Sequence, residues 1–505
     1  MSKHVSHHAY QPKGPRFEAE ADYVVVGSGA GGAMAAVTLA RAGQQVAIVE
    51  AGPWREPKDY PSSAYGALRD LFDEYGTTVT MGRALWPVVQ ARVVGGTTVI
   101  NSAIAVRTPS DVFDRWQREF DIPRAELADS VWRHEDRVER ELCVEEVPAG
   151  SLGRSNELAL LGGKRLEYEN HVMRRYTKHC DGSGQCLQGC KAGKKQSTNL
   201  NYVPETLSRG GHVLSSAPVE RVVFEGTRAI GVLGHFVDPL HRKRGAEFFV
   251  RAKKGVVIAA SATHSPALLQ RSGLRHPALG KFFRAHPGTG VFGVYDQPVD
   301  MNIGATQGWA SIHYRDSPGL KLETLAIPPE MVAGRLSGGG HTLMARVKEF
   351  RHLAMWVCAV RAESHGTVKN GFGNRPSVRY TLDRADMEKL RTGLHLVAKT
   401  HFAAGAKRVI PGIQGLPYDL GPDQLHVLEN APLDPRAYVA ILSHLFGGCV
   451  MGKDERTSVC DPNGRVHGYQ GLLVADASVI PSNLGVNPQH TIMGLAGHFM
   501  ERQVA

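Results

Sequence analysis

Three strand–turn–helix passages predict an α/β (α+β) fold, a Rossmann-like dinucleotide-binding domain joined to a second, sheet-containing domain. They are "ADYVVVGSGAGGAMAAVTLARAGQQVAIVEAG" at residues 21–52, "AASATHSPALLQRSGL" at 259–274 and "GLLVADASVIPSNLGVNPQHTIMGLAGHFM" at 471–500. A chain of 505 residues is also too long for one ordinary hydrophobic core. Because the passages are spread over the whole length, the first domain is discontinuous.

The first passage carries the most specific pattern. Val24 to Val26 read as a short buried strand, and Gly27, Gly29 and Gly32 set a turn. Ala33 to Ala42 read as a small-residue helix, and Gln45 to Val49 as a second strand ending at Glu50. Gly27 permits the tight turn, Gly29 lets the backbone approach a pyrophosphate, and Gly32 lets helix and strand pack closely. Phosphates then meet free N–H groups at the helix N-terminus, where the dipole favours an anion. Glu50 stands where a carboxylate accepts hydrogen bonds from an adenosine ribose.

The second passage follows a strand at Gly255 to Ile258 and leads into a helix ending at Gly273. A further glycine-centred loop is "RVVGGTTVINSAIAVR", residues 92–107. With the C-terminal passage, these segments resemble the glucose–methanol–choline (GMC) family of FAD-dependent oxidoreductases. The second passage fits that family's second signature from Ser261 through Ser265 and Pro266 to Ser272, Gly273 and Leu274, and departs from it at Arg275. The resemblance runs from Ala21 to the C-terminus and implies FAD as cofactor. It implies that Gly96, Thr98 and Asn101 line the diphosphate and isoalloxazine, and that the Val219 backbone meets adenine. It also implies that Asp476 holds the ribityl chain and that the helix opening at Pro488 directs its positive end at the flavin.

Oxidation of an alcohol needs a base for the hydroxyl proton and a polar group that aims the C–H bond at flavin N5. Histidine suits the first role because its pKa lies near neutrality. His444, in "SHLFGGCVMG", and Asn487 match the family's paired active-site positions, with His444 as base. His490, three residues beyond Asn487, is a further candidate for a direct role; His264 and His286 read as structural or flavin-adjacent. The implied activity is oxidation of an alcohol or sugar CH–OH group by hydride transfer to flavin. An oxygen-using oxidase of the long-chain alcohol or sterol type, or a non-redox flavin lyase, is the alternative.

"HCDGSGQCLQGCKAGKK" places Cys180, Cys186 and Cys190 within eleven residues of a chain with seven cysteines. The spacing is too tight for a zinc-finger pattern, and an odd count in a long chain does not suggest a disulfide framework. The motif is similar to that of bacterial FAD-dependent glucose and gluconate-type dehydrogenases. That similarity implies a [3Fe–4S] cluster on the three thiols, relaying electrons to a cytochrome. Free thiols, or a disulfide with one thiol left over, are the competing readings.

Net charge is +10 and is not gathered into a basic run. Nothing resembles a nucleic-acid module, and no apolar run is long enough for a membrane span. The N-terminus lacks an export signal, so the expected location is cytoplasmic, with periplasmic transport by a small partner subunit as the alternative. Residues 1–16 read as a mobile arm. The expected FAD-binding domain comprises 17–110, 198–290 and 436–505, and the substrate-binding domain 111–197 and 291–435. Gly338 to Gly340 read as a lid edge or a surface loop.

Overall fold

The computed structural model describes residues 6–504. Two sheets carry the molecule, and each is organised by one long strand that changes neighbours along its length. In the first sheet that strand is Arg244–Ile258. Its N-terminal half pairs antiparallel with Arg228–Val237, while residues 256–258 pair parallel with Leu472–Val474. Its other edge pairs parallel with Phe17–Val26, and Val46–Val49 and His212–Leu214 follow in order. Parallel strands covered on both faces read as continuous apolar runs, which explains "VVV" and "VAIV". Phe17–Val26 alternates half-buried and exposed residues before becoming continuously buried near the turn.

The expected arm is corrected in part. Residues 1–5 lie outside the description, but His7–His8 pairs parallel with His212–Leu214 and closes the sheet edge. An extended segment gains ladder partners along one edge by docking there.

The second sheet is centred on Arg284–Val294. Its first residues pair antiparallel with Ile441–Phe446, and Phe292 to Val294 pair with Arg408–Ile410. On its other side come Leu353–Val360, Leu320–Thr324, Trp309–Ser311 and Asn170–Val172. The Arg384–Ala403 helix covers the back, where His401 stacks on Trp356 with ring centres 3.7 Å apart.

Two domain boundaries shift accordingly. The strand bearing His444 belongs to the second sheet, although residues 436–505 were expected in the first domain. Conversely, the helices Ser110–Phe120 and Arg124–Glu141 pack into the first core through Val112, Phe113, Trp116, Val131 and Val138. The C-terminal helix Gln489–Val504 admits them because Gly494 and Gly497 face Val131 and His134; a Cβ at either glycine would fall within 2.7 Å of those side chains. Sequence spacing alone could not reveal that match of small residues to a neighbouring helix.

Trp116 is fully buried and donates its indole N–H to Ser482 Oγ at 2.9 Å, tying this helix pair to the loop that leads to Asn487. Replacing it with alanine should cost about 3–5 kcal/mol in chemical denaturation. A loss below about 1 kcal/mol would place these helices outside the first core.

Candidate active site

The dinucleotide turn is built by backbone proximity. Gly27 has φ +100°, and a Cβ there would lie 2.3 Å from Ala259 O. At Gly32 a Cβ would lie 2.0 Å from Gly27 O, and at Gly31 only 1.9 Å from Ala475 O. The turn is therefore wedged between the ends of three strands. Gly29 caps the Ala30–Arg41 helix without a side-chain hydrogen bond, so the first-turn N–H groups are left for an anion. Gly96, with φ +53°, meets the same turn: its Cβ would sit 2.7 Å from Gly29 Cα. These features fit a pyrophosphate.

Several expected cofactor residues are already engaged by the protein. Glu50 closes on the turn, accepting from Ser28 N (2.9 Å), Ser28 Oγ (2.7 Å) and Gly52 N (2.8 Å). One carboxylate lone pair is left for a ribose hydroxyl. Asp476 accepts from Ser261 N, Ser265 Oγ and Ser478 N, so its role in this structure is to join two strand ends. Thr98 Oγ1 turns onto Gly95 O at 2.6 Å, and Val219 O is held by Arg271 Nη2 at 2.9 Å. Asn101 donates to Gln489 Oε1 at 2.7 Å, which links the second glycine loop to the start of the C-terminal helix. Pro488 supplies the carbonyl that begins that helix, accepting from Ile492 N at 2.9 Å.

Two residues before Gln489, Asn487 enters the chemical end of the site. His444 Nε2 lies 3.3 Å from Asn487 Nδ2, as the pairing expected. They line a cavity of about 10 Å³ together with His286, Lys321, Glu323 and Arg361. That is room for one water-sized atom. A groove of about 540 Å³, bounded by Val106, Trp132 and Ile312, shares Arg315, Lys321 and Val486 with the cavity.

His490 does not join them, which corrects the expectation of a direct role. Its ring is fully buried against Tyr176, with Nδ1 hydrogen-bonded to the tyrosine hydroxyl and Nε2 3.4 Å from Glu139. On the first helical turn it faces the Arg124–Glu141 helix, away from the cavity.

The three-cysteine loop is packed around Arg175 and Lys195. All seven cysteines are free, and among the described residues no set of three or more His, Cys, Asp or Glu side chains is placed to hold a metal ion. Cys186 Sγ accepts from Arg175 Nη2 at 2.8 Å, so a fixed guanidinium holds that sulfur in place. Burial opposes the Cys186 thiolate, but Arg175 and Lys195 outweigh it and hold the thiol below its ordinary value. Lys195 Nζ donates to Val99 O, Asn101 O and Cys186 O at 2.5–2.8 Å, so the loop braces the second glycine loop from behind. As placed here, the three thiols are not gathered around one metal-sized point.

Family models for the N- and C-terminal parts of GMC oxidoreductases match residues 21–288 and 362–496. The chain is a GMC oxidoreductase. An uncharacterized GMC-type oxidoreductase of Mycobacterium tuberculosis is 36% identical over 488 residues, covering 96% of this chain and 76% of its own length. A long-chain-alcohol oxidase of Arabidopsis thaliana, FAO1, is 27% identical, over 95% of this chain and 66% of its own. The solved pyridoxine 4-oxidase from Mesorbium loti superposes with a TM-score of 0.71 at 18% identity, over 95% and 98% of the two chains.

In this GMC oxidoreductase the proton positions at the active site follow from the hydrogen bonds. The Gly485 N–H, shared with Asn483 Oδ1 at 3.1 Å, reaches His286 Nε2 at 3.0 Å. His286 Nε2 is therefore an acceptor, and the neutral ring carries its proton on Nδ1. That atom is 3.1 Å from His444 Nδ1, which must accept. His444 consequently bears its proton on Nε2, toward Asn487. Burial holds His286 well below the ordinary histidine value, with His444 adding to the effect; burial likewise brings His444 to about 4.

Sequence reasoning missed Lys321 and Glu323, which lie 2.7 Å apart as an ion pair, each about 5% exposed. In "LKLET" the two charges alternate with leucines, the signature of a solvent-facing strand edge. That face instead meets the C-terminal loop, and only the tertiary contact exposes the functional signal.

Two outcomes follow. His444 takes up a proton more readily unfolded, near 6.5, than folded, near 4, so its stability contribution is full above pH 6.5 and falls as pH drops toward 4. Replacing His444 with asparagine should make unfolding free energy less dependent on pH in that window, by about 1.4 kcal/mol per pH unit; an unchanged slope would contradict the buried neutral ring. H490N should lower stability by about 1–3 kcal/mol by leaving Tyr176 unpaired, while KM stays within a factor of two (~0.4 kcal/mol). A large rise in KM would restore His490 to the substrate site.

Proposed function

We propose that this GMC oxidoreductase binds FAD and oxidises a CH–OH group to a carbonyl. The observation that carries the reading is the His444–Asn487 pair closing a one-atom cavity two residues from the Gln489 contact to the second glycine loop. Gly29, Gly96 and the uncapped helix would hold the pyrophosphate, Glu50 the ribose, and Asn101 the ring end. FAD, when bound, supplies the two-electron acceptor for the hydride. His444 and Asn487 hold the alcohol oxygen and so orient its C–H bond. The base role expected of His444 needs a bare Nε2, which the bonds from Gly485 through His286 oppose. Glu323, the carboxylate in the cavity lining, is the group able to accept the hydroxyl proton. Val106, Trp132, Ile312 and Val486 suit a substrate whose hydroxyl end is attached to an apolar body.

The electron acceptor is part of the same proposal. The relatives named as long-chain-alcohol oxidases favour direct reaction with oxygen. Anaerobic mixing of the FAD-loaded enzyme with primary alcohols of increasing chain length should bleach the oxidised flavin band. Air should then restore it with stoichiometric peroxide. Failure of every alcohol and sugar to bleach the band would end the redox reading. Slow return in air, or about three irons per chain, would instead bring back the cluster-linked dehydrogenase.

A further inference from the structure

Lys321 Nζ is hydrogen-bonded to Asn487 Oδ1 and ion-paired with Glu323 Oε1 at 2.7 Å. The lysine thus closes a chain of side chains running Gly485, His286, His444, Asn487, Lys321. Both ends of that chain are donors: a backbone N–H at one and an ammonium at the other. Each imidazole between them is neutral and holds one proton, and the amide has one oxygen and one N–H₂ group. Passing along the chain from Gly485 leaves an N–H on His444 Nε2. Passing from Lys321 fixes the amide oxygen on the ammonium and turns Asn487 Nδ2 toward the same point. Two donors therefore face each other across 3.3 Å. The chain has one proton more than its contacts can use.

A donor facing a donor is unfavourable in a dry site, and an oxygen atom between them removes the conflict by accepting from both. The cavity beside them, about 10 Å³, has room for one such atom. We propose that Lys321, braced by Glu323, is the positioning residue that locks the Asn487 amide, so that Asn487 and His444 form a two-donor clamp for a substrate oxygen that bears no proton or is losing one. Without the ammonium, the amide is free to turn over. Its oxygen then accepts from His444 Nε2–H, the pair bonds to itself, and the clamp closes. The groups facing His444 in this site are His286, Asn487, Lys321 and Glu323, with Arg315 and Arg361 completing the charged lining. Arg315 and Arg361 are committed to Asp111, and Arg315 also to Asp316.

The inference rests on the reading that this cavity receives a substrate oxygen, and its test does not require turnover. Acetate offers a carboxylate oxygen without a hydrogen, and its binding to the FAD-loaded protein is measured by calorimetry. A clamp of two donors predicts a dissociation constant constant within about threefold between pH 6 and 8 (~0.7 kcal/mol). A bare His444 Nε2 would have to take up a proton to bind acetate. Affinity would then fall about tenfold per pH unit, and that result overturns the proposal.

The paired substitution K321M/E323Q removes one charge of each sign, so the net charge of the wall is unchanged and no buried ion is left alone. It should weaken acetate at least tenfold (~1.4 kcal/mol), whereas K321R, which retains a donor for Asn487 Oδ1, should recover most of the binding. Equal affinity in the wild type and in a folded, FAD-loaded K321M/E323Q variant would overturn the role of Lys321. If the double variant does not fold, K321R together with the wild-type pH series decides: loss of binding in K321R at an unchanged circular dichroism spectrum counts against the proposal. Normal acetate binding with no bleaching by any alcohol would leave the clamp standing while removing the proposed reaction.

Discussion

The arrangement depends on how closely one turn of backbone can approach the ends of three strands. Gly27, Gly31 and Gly32 each stand where a methyl group would overlap a carbonyl oxygen, on Ala259, Ala475 and Gly27 respectively. These carbonyls lie at the ends of strands or within the turn itself. The three passages, far apart in the chain at residues 21–52, 259–274 and 471–500, are therefore locked to one another through the absence of side chains. Asp476 completes the junction by accepting from Ser261 and Ser265, so strand ends and turn behave as a single piece. The cofactor end of the site inherits its geometry from this contact.

The chemical end is assembled differently. His444 comes from the second sheet, Asn487 from the loop leading to the C-terminal helix, and Lys321 from a second strand of the same sheet. Trp116 holds Ser482 from beneath, and the Gly485 N–H orients His286 from the side. Tautomers and amide orientation are then settled by the two donors at the ends of the chain. The result is a polar network in a nearly closed cavity, where low dielectric strengthens every hydrogen bond and penalises every unpaired donor.

The cysteine loop shows what tertiary surroundings add to local spacing. Three thiols within eleven residues read as ligands, but the neighbours that fold around them are Arg175 and Lys195. Cations of that kind stabilise a thiolate and brace carbonyls. Lys195 spends its three donors on the backbone of the second glycine loop and of Cys186, which makes the segment a support for the cofactor end.

The sequence by itself determined the dinucleotide turn and the second glycine loop, and its resemblance to the GMC family implied the pairing of His444 with Asn487. The first two follow from residue types in a local order: glycines where backbone must approach backbone, and apolar runs where parallel strands are covered. The tertiary structure decided the rest. It moved the Ser110–Phe120 and Arg124–Glu141 helices into the first core, because their apolar faces match Gly494 and Gly497, and it turned His490 toward Tyr176. It also buried Lys321 and Glu323, whose alternation in a strand matches an exposed edge until the C-terminal loop covers it. Hydrogen-bond polarity is the property of this site least visible in sequence, because it depends on which donors meet in space and not on which residues are near in the chain.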